Sequence, residues 1–570
     1  MEWISKADIG FVEFSDGYCD YLPIYSKGVC MTECNVDVIV VGAGFSGLYL
    51  LHNFRKLGLS VQVFESGDGV GGTWYWNRYP GARCDAESMA YSYSFDADLE
   101  QEWQWSERYA TQAEILTYMN HVAERFDLNR DIKFSTKVTG AEYQDMSKRW
   151  RVTTDQGDSL TARFCIMATG CLSTPQDPDI AGLNDFAGPS YMTGKWPHEG
   201  VDFSGKTVGI IGTGSSAIQA IPVMAKQAKH LTVFQRTPNF SVPAENAPLD
   251  PNWVESYKKE YPKHRDDYKH GRVSSFGDLM IPEEYRQITE DMIMDKPPEE
   301  VQETLERFWS YGGARFIGSY VDTLVSEEAN KVMADFVRNK ISETVNNPAI
   351  AQKLSPTSHP IGTKRICVDS DYFSTYNRDN VSLVDISEHQ LETITSTGLK
   401  TSAESYDFDI LVLATGFDAM TGTLSRMNIT GANGKPLNDK WEAGPRTYLG
   451  LGINEFPNLF LVTGPGSPSV LSNMIVSIEQ HVDFISDMIK HMNDNEYESF
   501  EADLSAEDAW VEHVNEVASA TLFPKAGSWY MGANIPGKPR VFMPYAGGVG
   551  PYRELCDGVA EKGYEGFNFS

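Results

Sequence analysis

Two stretches of the chain repeat the same order of apolar and polar positions. Residues 36–65 pass through an apolar run, a glycine turn, a segment with helical period and a second apolar run that ends in an acid. Residues 206–236 follow the same order, with Ala217 in place of the third glycine and an arginine at the end. Each stretch therefore predicts a β-α-β unit with a dinucleotide at its glycine turn.

The residues that end the two units distinguish the dinucleotides. Glu65 lies 23 residues after Gly42, and Arg236 lies 24 residues after Gly212, so both are expected at the tip of a second strand. A carboxylate accepts hydrogen bonds from ribose hydroxyls and repels a 2′-phosphate, which suits the ADP half of FAD or NAD. Arg236, with Lys364 as a candidate second cation, suits the phosphate of NADPH. FAD and NADPH in one chain define a flavoprotein that accepts hydride from NADPH.

Two further apolar runs, at 164–170 and 409–416, end in Ala-Thr-Gly, where small residues let a crossing chain pass close to a dinucleotide. The predicted fold class is α/β, with two Rossmann-like dinucleotide-binding domains, for FAD and NADPH, and a helical insert. The charges of the insert are expected on a solvated face. The expected regions are an N-terminal extension at 1–35, an FAD-binding domain at 36–174 and 405–570 that includes a mobile loop, and an NADPH-binding domain at 175–404 with the insert at about 250–350.

Composition removes several classes of partner. The chain carries 48 Lys and Arg against 79 Asp and Glu, a formal charge of −31 that repels nucleic acid and anionic lipid. The sequence has no apolar window approaching the roughly 18 residues of a membrane span, and the acidic N-terminus shows no export signal. The eight cysteines include no C-x-x-C pair, so neither a disulfide framework nor a metal site is expected. The sequence predicts a monomer in the cytoplasm.

Five segments of the chain resemble type I Baeyer-Villiger monooxygenases: GGTWYWNRYPGARCDAES at 71–88, FAGPSYMTGKWP at 186–197, HPIGTKR at 359–365, GPGSPSVLSNM at 464–474 and SWYMGANIPGKPRVF at 528–542. Within that family the chain is most similar to phenylacetone, steroid and cycloalkanone monooxygenases, and the likeness runs in order from about residue 36 to 570. The resemblance implies an enzyme that uses FAD, NADPH and O2 to insert one oxygen next to a ketone carbonyl, through a C4a-peroxyflavin. An ester or lactone is the implied product, with sulfoxidation as a further activity.

The fingerprint of that family, F-x-G-x-x-x-H-x-x-x-W-P or -D, is matched at Phe186, Gly188, Trp196 and Pro197 but has Met192 at the histidine position. Methionine neither donates a hydrogen bond nor titrates near neutral pH. A role that depends on an imidazole proton is therefore absent, which affects rate and coupling more than fold.

The resemblance also implies the site residues. Arg365 takes the position of the catalytic arginine, and Asp85 that of the carboxylate that orients it. A guanidinium stays protonated at working pH and can hold successive anions. The implied FAD contacts are Gly42, Gly44, Ser46, Gly47, Glu65, Thr73, Trp74, Asp85, Tyr91, Val138 and Met474. The NADPH contacts, from the motif and the resemblance, are Gly212, Gly214, Ser215, Ser216, Gln219, Arg236, Thr237, Lys364 and Trp529, which resembles a loop tryptophan that closes over NADP.

Three alternative functions can be compared with this one, of which the first is disfavoured and the other two stay open. A pyridine-nucleotide disulfide reductase needs a closely spaced cysteine pair, whereas Cys165 and Cys171 have five residues between them. A flavin monooxygenase of amine or sulfide heteroatoms fits less well, because Arg365 and Asp85 favour attack on a ketone. A degenerate member that mainly acts as an NADPH oxidase is kept open by Met192. The segments at 464–474 and 523–532, with the helical insert, are expected to line the ketone pocket, whose preferred ketone the sequence does not identify.

Overall fold

The computed structural model describes residues 35–272, 274–275, 277 and 290–570. The predicted extension at 1–35 lies outside the described residues, apart from Asn35, which begins the first strand. The described strands are β1 (Asn35–Val41), β2 (Val61–Phe64), β3 (Ile132–Lys133), β4 (Val138–Gln144), β5 (Arg149–Thr154), β6 (Ser159–Met167), β7 (Ser190–Met192), β8 (Thr207–Ile211), β9 (His230–Gln235), β10 (Ser241–Pro243), β11 (Cys367–Asp369), β12 (Val381–Asp385), β13 (Leu391–Ile394), β14 (Gly398–Thr401), β15 (Ser405–Asp407), β16 (Ile410–Leu413), β17 (Asn428–Thr430), β18 (Leu459–Leu461), β19 (Phe500–Ala502) and β20 (Phe567–Phe569).

Helices cover the sheets and form the region between α6 and α10. The described α-helices are α1 (Phe45–Lys56), α2 (Thr73–Trp76), α3 (Ala97–Glu102), α4 (Gln112–Arg125), α5 (Ser215–Gln227), α6 (Pro251–Lys259), α7 (Tyr261–Lys269), α8 (Pro298–Tyr311), α9 (Glu327–Thr344), α10 (Pro348–Leu354), α11 (Tyr372–Thr375), α12 (Gly422–Ser425), α13 (Leu437–Lys440), α14 (Met474–Asp494), α15 (Leu504–Ser519) and α16 (Val549–Glu561). Within the described residues, no helix is both long enough and apolar enough to cross a membrane.

The first sheet contains the first predicted β-α-β unit. Its order is β17-β4-β5-β6-β1-β2-β3, with β18 paired to β6, and β1 is parallel to both β2 and β6. The inner part of β1 is buried because α1 and α14 pack on one face of the sheet and other apolar side chains cover the opposite face. A strand that is covered on both faces has an unbroken run of apolar residues. The apolar run in the sequence therefore predicted β1 correctly.

The second sheet contains the second unit and is parallel throughout, in the order β12-β9-β8-β16-β7. The predicted α/β fold class is confirmed by these two sheets. A small antiparallel sheet of β13, β14 and β15 lies between β12 and β16 in the sequence. Helices α6 to α10 begin at Pro251 and end at Leu354, and α9 joins the core of the second sheet through Phe336, Val337 and Ile341.

The pairing of β16 contradicts one predicted boundary. The sequence predicts that residues from 405 onward belong to the FAD-binding domain. However, β16 (Ile410–Leu413) lies between β8 and β7 in the second sheet. The chain returns to the first sheet only at β17, which pairs with β4. The error has a physical cause, since a buried parallel strand shows the same apolar run whichever sheet it joins.

The chain crosses between the two sheets at two neighbouring segments. The backbone N–H of Met420 donates to the carbonyl of Cys171, and that of Asp418 donates to the carbonyl of Thr174, both at 2.9 Å. The crossings after β6 and after β16 therefore lie side by side. Both crossings contribute residues to the wall of the cavity described next.

Candidate functional site

A cavity of about 1480 Å³ is lined by residues of both sheets. The glycine turns after β1 and β8 form two parts of its wall, and the loop at 79–86 and the segments at 470–474 and 527–529 form others. All of the predicted site residues line this cavity except Gly47. The structure thus brings together side chains that are hundreds of residues apart in the sequence.

The first glycine turn leaves the start of α1 open to the cavity. Gly42 has a left-handed φ of +108°, and a Cβ there would lie 2.6 Å from the carbonyl oxygen of Ala168. Gly44 precedes α1 and approaches Gly72 so closely that a Cβ on Gly72 would lie 2.9 Å from its Cα. Gly47 lies within the first turn of α1, and a Cβ there would overlap the carbonyl oxygen of Gly42. Gly47 therefore packs the helix against the strand and does not face a ligand, whereas the turn itself fits a pyrophosphate at a helix N-terminus.

Glu65 follows β2 and is held beside this turn. Its two carboxylate oxygens accept the backbone N–H groups of Ala43 and Gly67, each at 2.8 Å, and the residue is 5% exposed. Oε1 also accepts the Ser66 hydroxyl at 3.3 Å, whereas Oε2 can accept a second hydrogen bond. Glu65 can therefore receive a ribose hydroxyl without moving.

The second glycine turn repeats this geometry at α5. Gly212 has a φ of +116°, and a Cβ there would lie 2.4 Å from the carbonyl oxygen of Ala414. A Cβ on Gly214 would meet no atom within 4 Å, so open space lies over the start of the helix. Ser215 and Ser216 begin α5 at the cavity wall, and the carbonyl of Thr237 accepts the hydroxyl of Thr213 at 3.0 Å. This turn also fits a pyrophosphate.

Two cations lie near each other beside the second turn. Neither Arg236 nor Lys364 has a carboxylate partner in the part of the chain that the structure describes. Burial and, second, the charge of Arg236 hold the pKa of Lys364 below its ordinary value. A phosphate between the two side chains removes this repulsion, which is the ligand chemistry that the sequence predicted from their charge.

Arg365 and Asp85 form a bidentate ion pair in the middle of the cavity wall. The Nε of Arg365 donates to Oδ2 of Asp85 at 2.8 Å, and Nη2 donates to Oδ1 at 2.7 Å. The third contact is made by Nη1, which donates to the carbonyl of Val470 at 2.7 Å. Burial acts to raise the pKa of Asp85, but the charge and hydrogen bonds of Arg365 outweigh it and lower that pKa. The result is a fixed guanidinium whose side chain is still 33% exposed.

The remaining predicted FAD contacts line the same cavity as the first glycine turn. The indole Nε1 of Trp74 donates to the hydroxyl of Tyr91 at 3.1 Å, and the rings meet edge to face. Thr73 begins α2 directly after the glycine pair, Val138 begins β4, and Met474 begins α14. All of these positions belong to the cavity wall, so the structure groups them with Glu65 and the first turn.

Gln219 has a structural contact that the sequence did not indicate. Its Oε1 accepts the hydroxyl of Tyr79 at 2.9 Å, and its Nε2 donates to the carbonyl of Arg83 at 3.0 Å. Gln219 thus ties α5 of the second sheet to the loop that carries Asp85. A bound nucleotide would meet a side chain whose amide already has protein partners.

Met192 does not itself line the cavity. It ends β7, pairs in register with Leu413 of β16, and packs against an apolar cluster on the second sheet that includes Ile211 and Leu411. Gly188 is close-packed as well, since a Cβ there would lie 2.8 Å from the carbonyl oxygen of Asp409. This part of the fingerprint therefore supports the sheet edge and does not line the site.

The segment that carries Trp529 covers one side of the cavity. Trp529 is half-buried and lines the cavity, while Tyr530 is buried beneath it with ring centroids 4.3 Å apart. Lys538 anchors the segment by donating to the carbonyl of Ala419 and to Asp418, both at 2.8 Å. Trp529 is therefore the member of the aromatic pair that faces the cavity.

Sequence reasoning missed two partners of Arg365. The Val470 carbonyl contributes only backbone, so no residue type could have indicated it. Tyr530 forms a side-chain hydrogen bond with Arg365, and burial raises the pKa of Tyr530 to about 12. Its position next to Trp529 in the SWY motif was the available signal.

The described cysteines do not form a redox pair. Cys165 lies within β6 in the core of the first sheet, whereas Cys171 lines the cavity and contacts Ser469 at 3.0 Å. Both are free, as are the other three described cysteines. The described residues also contain no group of three or more His, Cys, Asp or Glu side chains that could hold a metal ion.

Comparisons with known proteins give a consistent picture. The family model described as pyridine nucleotide-disulphide oxidoreductase matches residues 39–273. A Baeyer-Villiger monooxygenase from Pseudooceanicola batsensis is 42% identical and is covered over 97% of its length by 95% of this chain.

Two solved structures match with similar coverage. An oxidized steroid monooxygenase bound to NADP is 49% identical with a TM-score of 0.89, over 94% of this chain and 99% of that one. The complex of OTEMO with FAD and NADP is 39% identical with a TM-score of 0.89, over 94% and 99% of the two chains. The chain therefore matches these proteins over almost their whole length.

Proposed function

This chain belongs to the Baeyer-Villiger monooxygenase family, and we propose that the cavity between its two glycine turns is where it oxygenates a ketone. The chain is an FAD-dependent monooxygenase that consumes NADPH and inserts one oxygen atom of O2 next to a ketone carbonyl. The product is an ester or a lactone. This is the activity that the resemblance in the sequence implied.

We propose that FAD binds at the first glycine turn, before α1, and that NADPH binds at the second, before α5. Gly42, Gly44 and the start of α1 fit the pyrophosphate of FAD, and Glu65 fits its ribose. Arg236 and Lys364 fit the 2′-phosphate of NADPH, because they are two cations without a carboxylate partner among the described residues. FAD bound at the first turn would supply a hydride acceptor for NADPH and a centre that activates O2.

The role proposed for Arg365 follows from where charge develops. During oxygen insertion, negative charge builds up at the carbonyl oxygen of the ketone, and a fixed cation stabilises that charge more than it stabilises the neutral ketone. Asp85 orients the guanidinium from one side, and the Val470 carbonyl orients it from another. Because the guanidinium is held before the reaction begins, it does not have to reorganise as the charge develops.

One observation carries the proposal. The bidentate Asp85–Arg365 pair lies in the same cavity as both glycine turns, Glu65 and the Arg236–Lys364 cations. A disulfide reductase would need a pair of neighbouring thiols here, whereas Cys171 lines the cavity and Cys165 lies in the core. The arrangement suits hydride acceptance from NADPH and oxygenation of a polarised carbonyl.

The test is product analysis with isotope-labelled O2. Purified protein with FAD, NADPH and a panel of linear and cyclic ketones should give esters or lactones that carry one labelled oxygen atom. A sulfide panel run in parallel measures sulfoxidation. Peroxide as the sole product would favour the NADPH oxidase alternative, and sulfoxide or N-oxide without any ester would favour heteroatom oxygenation.

We propose further that the enzyme works as a monomer in the cytoplasm. The residues proposed for catalysis and for both cofactors come from one chain, which supports a site that is complete without a second copy. Five described cysteines are free and buried, which suits a reducing compartment. Sedimentation of the holoenzyme tests the first part, and fractionation of the source cells tests the second.

A further inference from the structure

Thr463 has an unusual backbone conformation at the cavity wall. It follows β18, is 2% exposed, lines the cavity, and has a φ of +55°. Left-handed φ values are rare for β-branched side chains, because Cβ and its substituents crowd the neighbouring carbonyl. Such a conformation persists only where the surroundings hold it in place.

The surroundings of Thr463 hold both of its backbone polar groups. Its N–H donates to Nδ1 of His481 at 2.9 Å. Its carbonyl accepts the hydroxyl of Ser469 at 3.2 Å and the thiol of Cys171 at 3.4 Å. The loop that begins at Thr463 is therefore pinned at its first residue.

The tautomer of His481 is determined by its two partners. Since Nδ1 accepts a backbone N–H, the ring proton is on Nε2, which donates to the hydroxyl of Tyr552 at 2.9 Å. The Tyr552 hydroxyl in turn donates to the carbonyl of Leu449, which also has a left-handed φ, of +57°. His481 and Tyr552 are 0% exposed, and burial lowers the pKa of His481 to about 3, so the ring is neutral.

This buried chain of hydrogen bonds leads to Arg365. Ser469, which contacts the Thr463 carbonyl, is followed directly by Val470, and the Val470 carbonyl accepts Nη1 of Arg365 at 2.7 Å. We propose that His481 is a positioning residue for Arg365, because it holds Thr463 left-handed and thereby fixes the loop that carries the Val470 carbonyl. The inference rests on the proposed function of Arg365 and adds to it a residue that does not itself line the cavity.

The proposal separates oxygen insertion from NADPH oxidation. If the Val470 carbonyl shifts, Arg365 loses one of its hydrogen bonds. The two glycine turns and the Arg236–Lys364 pair keep their contacts. We therefore expect the amount of ester formed per NADPH to fall and the basal oxidation of NADPH without ketone to stay the same. Because small errors in alignment have large effects on rate, a loss of coupling on the order of tenfold is expected.

The test compares four variants with the wild type as FAD holoenzymes. His481→Leu removes both hydrogen bonds, whereas His481→Gln keeps one acceptor and one donor and should retain most of the coupling. Thr463→Gly allows the left-handed conformation without support, so the double variant of His481→Leu with Thr463→Gly should recover coupling. Ile485→Ala is the matched control, because Ile485 is buried on the same helix and does not line the cavity.

The outcomes are distinguishable. A His481→Leu enzyme that loses thermal stability as Ile485→Ala does, but keeps its coupling, would overturn the inference, and so would a double variant no better coupled than His481→Leu. A wild type that forms no ester would instead overturn the proposed function. If His481→Leu does not fold, His481→Asn, whose shorter amide reaches one partner only, takes its place under the same criteria.

Discussion

At the scale of single residues, the fixed charge of Arg365 is the feature with the strongest expected effect. We predict that Arg365→Ala keeps NADPH oxidation but loses ester formation, because the developing oxyanion loses its cation. The transition state should lose about 2.7–4 kcal/mol of stabilisation, the range typical for the loss of one oxyanion donor. The measurement is ester formed against NADPH consumed, with Arg130→Ala, an exposed arginine outside the cavity, as control. Unchanged ester yield in Arg365→Ala would contradict the role.

Arg236 and Lys364 determine a second residue-scale prediction. Two cations that repel each other without a carboxylate partner among the described residues favour the coenzyme that brings an additional phosphate. We expect Arg236→Gln to raise the KM for NADPH by the equivalent of about 1.5–3 kcal/mol, the range for a charged hydrogen bond, and to leave NADH almost unaffected. Steady-state kinetics with both coenzymes measure this. Equal efficiency of the wild type with NADPH and NADH would refute it.

At the scale of elements, the two glycines before α5 have different functions. Gly212→Ala forces a Cβ to within 2.4 Å of the Ala414 carbonyl oxygen in a left-handed turn, so a loss of stability is expected whether or not NADPH is present. Gly214→Ala meets no protein atom within 4 Å, so its methyl group would contact only the nucleotide. We predict a lower melting temperature for Gly212→Ala and a raised KM for NADPH at near-normal stability for Gly214→Ala. The same effect for both variants would contradict the open space at Gly214.

The β7 strand gives a prediction about the altered fingerprint. Met192 packs against apolar side chains on the second sheet and does not line the cavity. We therefore expect Met192→His to leave the ratio of ester to peroxide unchanged and to lower stability slightly, because the imidazole replaces an apolar side chain. Peroxide release and melting temperature of the two proteins measure this. A clear gain in coupling would show that the position acts on the site although it does not line the cavity.

The elements also show how far the sequence could predict the structure. The β1-α1-β2 and β8-α5-β9 units were predictable because buried parallel strands and glycine turns have local signatures. The sheet to which β16 belongs was not, since its apolar run fits either one. In the site, Glu65 and Arg236 could be chosen by spacing and charge, and charge made Lys364 a candidate second cation. The Asp85–Arg365 pair needed a family resemblance, and the link from Thr463 to His481 depends on backbone geometry that no residue type reveals.

At the scale of the whole molecule, the two sheets are joined at several points around one cavity. The chain crosses between them at two neighbouring segments, Gln219 bonds to the loop of Tyr79 and Arg83, and Asp85 pairs with Arg365. Contacts that link two regions in this way make their unfolding cooperative. The holoenzyme is therefore expected to unfold in one calorimetric transition.

Ligand binding tests this joint structure. NADP+ that binds only the folded protein should raise the free energy of unfolding by about 2.7 kcal/mol at a hundredfold excess over its Kd. Because the second glycine turn shares the cavity with residues of the first sheet, we predict that NADP+ raises the temperature of the whole unfolding transition. At the same NADP+ concentration, Arg236→Gln should reduce the NADP+ shift to about 0.3–1.3 kcal/mol and keep the increase produced when FAD is added to apoprotein. Two separate transitions, of which NADP+ moves only one, would show that the sheets unfold independently.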